Sequence, residues 1–212
     1  MTAQQLFRDA MAALPLVAIL RGLRPDEAVE IGQVLIDSGF RILEVPLNSP
    51  EPLRSIAALV QAFPHALVGA GTVLSREQVR QVHAAGARLV VSPNFDADVV
   101  RESVQLGMVS LPGVASPSEA FSALATGAHG LKLFPAEMIP PAAVKALRAV
   151  LPPDTLLFPV GGITPLNMAS YRSAGASGLG IGSALYQPGR AAASVRSRAD
   201  DFAAAWTGTI RA

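Results

Sequence analysis

One unit recurs along this chain: a helical pattern, a glycine just past its end, then a short apolar run. Gly39 precedes Ile42-Leu43-Glu44-Val45, Gly86 precedes Leu89-Val90-Val91, and Gly107 precedes Met108-Val109-Ser110-Leu111. Gly127 precedes Leu131-Lys132-Leu133, and Gly175 precedes Leu179-Gly180-Ile181. Each glycine falls where a helix ends on a left-handed residue, a conformation that glycine adopts most cheaply. Two wider intervals each hold an unmarked apolar run, Leu67-Val68-Gly69-Ala70 and Leu156-Leu157-Phe158-Pro159-Val160. Adding Val17-Ala18-Ile19-Leu20 at the start predicts eight strands.

Continuous apolar strands that alternate with helices imply a parallel sheet covered on its outside. Helix openings at Pro25-Asp26-Glu27, Ser75-Arg76-Glu77-Gln78, Ser116-Pro117-Ser118-Glu119 and Thr164-Pro165 agree with that alternation. Eight such units close most simply into a (β/α)8 TIM barrel, an α/β fold, here with an extra N-terminal helix. A chain of 212 residues suits one such domain, residues 1–212. An open doubly wound sheet is the alternative, but no Gly-x-Gly-x-x-Gly follows the first strand.

Composition narrows the function classes. The chain is 50% hydrophobic and 16% charged, enough for a sizeable core, and its formal charge is +1. With arginines scattered and no basic stripe, nucleic acid is not an expected partner. Without cysteine there is neither a disulfide framework nor a thiolate metal site. His65, His83 and His129 lie far apart, which disfavours a zinc centre. The apolar stretch 12–20 is too short to span a bilayer and contains Pro15. A cytoplasmic protein without a membrane partner is the expectation.

In a barrel of this kind, chemistry belongs to the C-terminal strand ends and the loops after them. There the chain places Arg21-Gly22, Glu44 before Pro46-Leu47-Asn48, Gly71-Thr72, Ser92-Pro93-Asn94, Lys132 before Phe134-Pro135, Gly161-Gly162 and Gly182-Ser183. Lys132 stands out, because an unpaired ammonium is expensive to bury within an apolar strand. An amine kept neutral by such surroundings can attack a carbonyl and form a Schiff base. Strand alternation puts Ile42 and Glu44 on one face and Leu43 and Val45 on the other. The same rule sets Gly130, Lys132 and Phe134 against Leu131 and Leu133, so Glu44 and Lys132 both point into the barrel. A buried structural ion pair would also account for the two residues. Gly161, Gly162, Gly182 and Ser183, after the seventh and eighth strands, suit a phosphate held by backbone N–H groups and a hydroxyl. Tight turns would also use those glycines. Arg21 suits a bidentate grip on a carboxylate.

The run Leu131-Lys132-Leu133-Phe134-Pro135-Ala136-Glu137, with Gly69-Ala70-Gly71-Thr72-Val73, Ser92-Pro93-Asn94 and Gly161-Gly162-Ile163, resembles the 2-keto-3-deoxy-6-phosphogluconate aldolase family. Ile19-Leu20-Arg21-Gly22 and Glu44-Val45-Pro46-Leu47-Asn48-Ser49-Pro50 are similar to its 2-dehydro-3-deoxy-6-phosphogalactonate branch. The resemblance implies that Lys132 is the Schiff-base lysine and Glu44 the general acid/base. It implies that Thr72 and Arg21 hold the carboxylate end of a pyruvate unit, that Pro93 and Phe134 wall the site, and that Gly161, Gly162 and Ser183 bind phosphate. It further implies a homotrimer without metal or cofactor that releases pyruvate and glyceraldehyde 3-phosphate from a phosphorylated keto-deoxy sugar acid. Asn48 stands where the gluconate-type enzymes carry arginine, which leaves Arg21 as the cation beside the substrate and favours the galactonate epimer. A phosphosugar isomerase or epimerase and a non-catalytic phosphosugar-binding barrel are the rival readings. Neither needs a lysine on a strand.

Overall fold

The computed structural model describes residues 1–208. Helix α1 (Ala3–Ala13) precedes β1 (Leu16–Ile19), after which helices and strands alternate: α2 (Ala28–Asp37), β2 (Ile42–Pro46), α3 (Pro52–Ala62), β3 (Leu67–Gly71), α4 (Arg76–Ala84) and β4 (Leu89–Val91). They continue with α5 (Ala97–Gln105), β5 (Val109–Leu111), β6 (Gly113–Val114), α6 (Pro117–Ala125), β7 (Leu131–Leu133) and α7 (Pro141–Val150). The chain then runs through β8 (Leu157–Pro159), α8 (Met168–Ser173), β9 (Leu179–Ile181) and α9 (Ala192–Thr207). All five glycines of the repeat take positive φ, from 72° at Gly107 to 101° at Gly127. Ser75 and Ser116 cap α4 and α6, and Ser116 forms a reciprocal capping box with Glu119. Two helices start later than their opening signals. Turns occupy residues 25–27 and 165–167 before α2 and α8 begin.

Every strand pairing is parallel, and β9 pairs with β1, so the ends of the series meet. The expected fifth strand is split into β5 and β6 at Pro112, which has no N–H to give to a ladder. The Pro112 carbonyl still accepts from Lys132 N–H at 2.9 Å, which stitches the seam. A bridge from Val160 to Gly180 joins β8 to β9 and completes the ring. The fold is the expected (β/α)8 barrel with a leading helix.

Alternation sorts the apolar residues into two cores. Leu43, Val45, Leu131 and Leu133 face outward into the layer shared with the helices. Val17, Ile19, Ile42, Leu67, Leu89, Val109 and Phe158 fill the ring interior, where they meet Leu6, Phe7 and Ala10 of α1. Helix α1 therefore closes the N-terminal end of the barrel. The Phe7 and Phe158 rings lie 6.2 Å apart, and Gln4 Nε2 donates to the Gly107 carbonyl at 3.2 Å. Among the described residues, no helix is long and apolar enough to cross a membrane.

Candidate active site

The open, C-terminal end of the ring contains a cavity of about 710 Å³, larger than the hollows beside Phe63, Met1 and Trp206. Its wall includes Arg21, Lys132, Phe134, Gly161, Gly162, Gly182 and Ser183, so much of the expected site converges on one space. Glu44 is 2% exposed and Lys132 6% exposed. Each owes its place to its neighbours in register. Glu44 lies between Ile19 and Gly69, and Lys132 lies between Phe158 and Gly113. Each charged side chain thus has an apolar neighbour on one strand and a glycine on the other. A Cβ on Gly71 would overlap the Glu44 carboxylate, so that glycine is required by the acid beside it.

The electrostatics follow from this packing. Burial pushes the Lys132 amine below the ordinary lysine value, and the Arg21 charge lowers it further, while Glu44 opposes both. Burial likewise pushes the Glu44 carboxyl above the ordinary range, against the pull of Lys132 and Arg21. Desolvation wins at both ends, favouring an uncharged pair. Among the described residues the two groups form no direct ion pair, and Glu44 Oε2 is buried without a hydrogen-bond partner. An unsatisfied buried carboxyl oxygen costs about 1–3 kcal/mol. Lys132 Nζ stands 4.8 Å from the centre of the Phe134 ring. That ring makes an apolar wall beside the amine.

Specific contacts hold the loops. Ser49 Oγ accepts from Gly22 N–H at 2.9 Å, and a Cβ on Gly22 would press into Pro188, so the loop carrying Arg21 is fixed from two sides. Thr72 has φ 57°, a left-handed conformation that costs a β-branched residue about 1–3 kcal/mol. The neighbouring Val73 holds it in place, donating to the Val91 carbonyl at 3.3 Å and accepting from Ser92 Oγ at 2.7 Å. Gly161 and Gly162 have φ 119° and 61°, and among the described residues their N–H groups and that of Ser183 find no acceptor.

The match to the protein-family model for KDPG and KHG aldolases runs over residues 7–195. The chain belongs to that family. It is 49% identical over 186 residues to a probable 2-dehydro-3-deoxy-6-phosphogalactonate aldolase of Rhizobium meliloti (strain 1021), covering 87% of this chain and 88% of the relative. It is 46% identical over 199 residues to the 2-dehydro-3-deoxy-6-phosphogalactonate aldolase of Escherichia coli (strain K12), covering 93% and 97% respectively. A solved structure described as native KDPGal superposes with a TM-score of 0.91 at 46% identity, covering 92% of this chain and 96% of that one.

Within this aldolase family frame, the expected residues separate into two groups. Arg21, Lys132, Phe134 and the glycine–serine loops line the cavity, and Glu44 acts on Lys132 from within the wall. Thr72, Asn48 and Pro93 are not among the cavity-lining residues; Asn48 is exposed on the turn after β2. Glu137, Tyr186, Arg190 and Arg198 also line the cavity, although the strand-end pattern does not single them out. The Glu137 carboxylate lies against Gly161 and Gly162. Tyr186 donates its hydroxyl proton to Glu27 Oε1 at 3.0 Å, tying the loop after β9 to the start of α2. Only Glu137 carried a legible signal, as the last residue of the quoted lysine motif.

Proposed function

We propose that this chain is a Schiff-base aldolase that reversibly cleaves 2-dehydro-3-deoxy-6-phosphogalactonate to pyruvate and glyceraldehyde 3-phosphate. The observation that carries this reading is Lys132, a buried amine held toward neutrality and opening on a cavity whose far loops are glycine-rich. Its lone pair adds to the C2 ketone to give a carbinolamine, whose hydroxyl takes the proton of the neutral Glu44 carboxyl and leaves as water, giving an iminium and a Glu44 carboxylate. The C3–C4 bond then breaks, its electrons moving into the iminium to form an enamine, while the C4 hydroxyl proton passes to Glu44. Glyceraldehyde 3-phosphate departs. Protonation of the enamine at C3 and hydrolysis of the imine release pyruvate and restore the amine. A carboxyl raised above its ordinary range suits a group that must both take and return a proton near neutral pH.

Arg21 supports the substrate carboxylate at the mouth, the one residue of that expected group, with Thr72, Asn48 and Pro93, that lines the cavity. The phosphate is assigned to Gly161, Gly162, Gly182 and Ser183, whose backbone N–H groups can converge on an oxyanion. The reaction needs no metal or cofactor, since the iminium is the electron sink. We assign the whole barrel to one domain, because α1 packs beneath the ring and α9 packs against α2. A homotrimer is in keeping with Met138 and Leu166, apolar side chains 78% and 93% exposed on neighbouring loops after β7 and β8. A cytoplasmic site suits reactants too highly charged to cross a membrane unaided.

Borohydride reduction in the presence of pyruvate, followed by peptide mass mapping, tests the central step. A reduced pyruvate adduct on Lys132 is expected, and absence of any adduct overturns the aldolase reading. Parallel assays with both C4 epimers test the branch. The galacto compound should turn over at least as fast as the gluco compound, and cleavage of the gluco form alone would refute that assignment. Light scattering should give three times the mass of the chain.

A further inference from the structure

We propose that Arg190 and Arg198 form a two-guanidinium clamp that neutralises the substrate phosphate and sets the preference for phosphorylated over unphosphorylated acids. The proposal rests on the phosphate assignment above and adds residues to it. Both arginines line the cavity beside Ser183. Arg190 Nη1 donates to the Ser183 and Leu185 carbonyls at 3.2 and 2.9 Å, and Arg198 Nη1 donates to the Ala184 carbonyl at 3.1 Å. The two side chains therefore grip three successive residues of the loop that carries Ser183, which fixes them relative to it.

Neither meets a carboxylate among the described residues, whereas Arg24, Arg54, Arg76, Arg80, Arg101 and Arg196 all do. Burial lowers the proton affinity of Arg190, and the charge of Arg198 adds to that effect. Two like charges held near one another without an acid are stabilised by an anion placed between them. The glycine loop of the same cavity supplies a second reason. Glu137 places a carboxylate against Gly161 and Gly162, so a phosphate dianion docking on those N–H groups meets a negative charge. Backbone dipoles alone leave that repulsion uncompensated. The arginine pair offsets it.

The test is isothermal titration of the full-length protein with inorganic phosphate, together with kcat/KM for the phosphorylated acid and its unphosphorylated counterpart. Arg198→Gln, at an exposed position, should weaken phosphate binding about fivefold to tenfold and shrink the phosphorylated-to-unphosphorylated kcat/KM ratio by a similar factor. Arg190→Lys keeps the charge but loses the fork geometry, and a smaller loss of the same kind is expected. Equal losses for both acids, or wild-type phosphate affinity in Arg198→Gln, would overturn the clamp. Phosphate binding is read without any turnover, so the clamp stands or falls separately from the aldolase chemistry, which the Lys132 adduct decides.

Discussion

The two ends of this barrel are built on opposite principles. At the floor, α1 lays Leu6, Phe7 and Ala10 against Val17, Leu67, Leu89 and Phe158, all buried and apolar. At the mouth, Glu44 and Lys132 are desolvated, Glu44 Oε2 lacks a partner, Thr72 is held left-handed, and Arg190 and Arg198 line the cavity without a carboxylate partner among the described residues. The floor lowers the free energy of the fold, and the mouth raises it. A ring that carries such a mouth needs such a floor, because net stability is only about 5–15 kcal/mol for a domain.

Lys132→Met breaks the contrast most severely, because it removes the proposed nucleophile altogether. Turnover should fall to background and the pyruvate adduct should vanish, while thermal unfolding shifts upward, since an apolar chain in that place carries none of the desolvation cost that depresses the amine. Retained turnover, measured by pyruvate release, would remove Lys132 from the mechanism. Glu44→Gln is expected to slow turnover by about 10²–10⁴-fold while still allowing some reducible adduct to form. Near wild-type rates in that variant would sink the proton-transfer role.

Phe7→Ala attacks the other end. A truncated buried aromatic costs about 3–5 kcal/mol, so the denaturant midpoint should drop sharply while kcat of the folded enzyme stays at the wild-type level. A lowered kcat with unchanged stability would mean that floor and mouth are coupled. The smallest effect concerns pH. Glu44 has a folded-state value above its usual 4.5, so its contribution to stability is full below 4.5 and is lost as pH rises through the elevated value. Lys132 runs the other way: its folded-state value is depressed, so stability rises with pH between that value and the usual 10.5. Urea melts across pH should show the acid-side slope disappear in Glu44→Gln, and an unchanged slope would contradict the burial argument.

The ring was legible because its signals are local. A glycine after each helix reports a backbone angle, and the alternation around Glu44 and Lys132 reports a face, with no need to know what lies across the barrel. The break at Pro112 was legible in principle, since a proline within a central strand removes a ladder donor. Helix α1 could be foreseen as a helix but not as a plug, because its apolar stripe does not say which surface it covers. Arg190, Arg198 and Tyr186 escaped notice for a related reason. They sit on or after the loop that follows β9, and only the closed ring brings that segment against the glycines after β8. Asn48 shows the converse, a residue prominent in the motif that the fold leaves on an exposed turn.

The plug has a kinetic corollary. A ring stoppered at its base by an aromatic pair has one doorway, so reactants, water and products all use the same passage. In the proposed reaction the three-carbon acid is tethered to the amine while the aldehyde fragment is free. Departure is thereby sequenced by architecture: the phosphorylated piece exits first, and the tethered piece follows once water has reached it through the vacated channel.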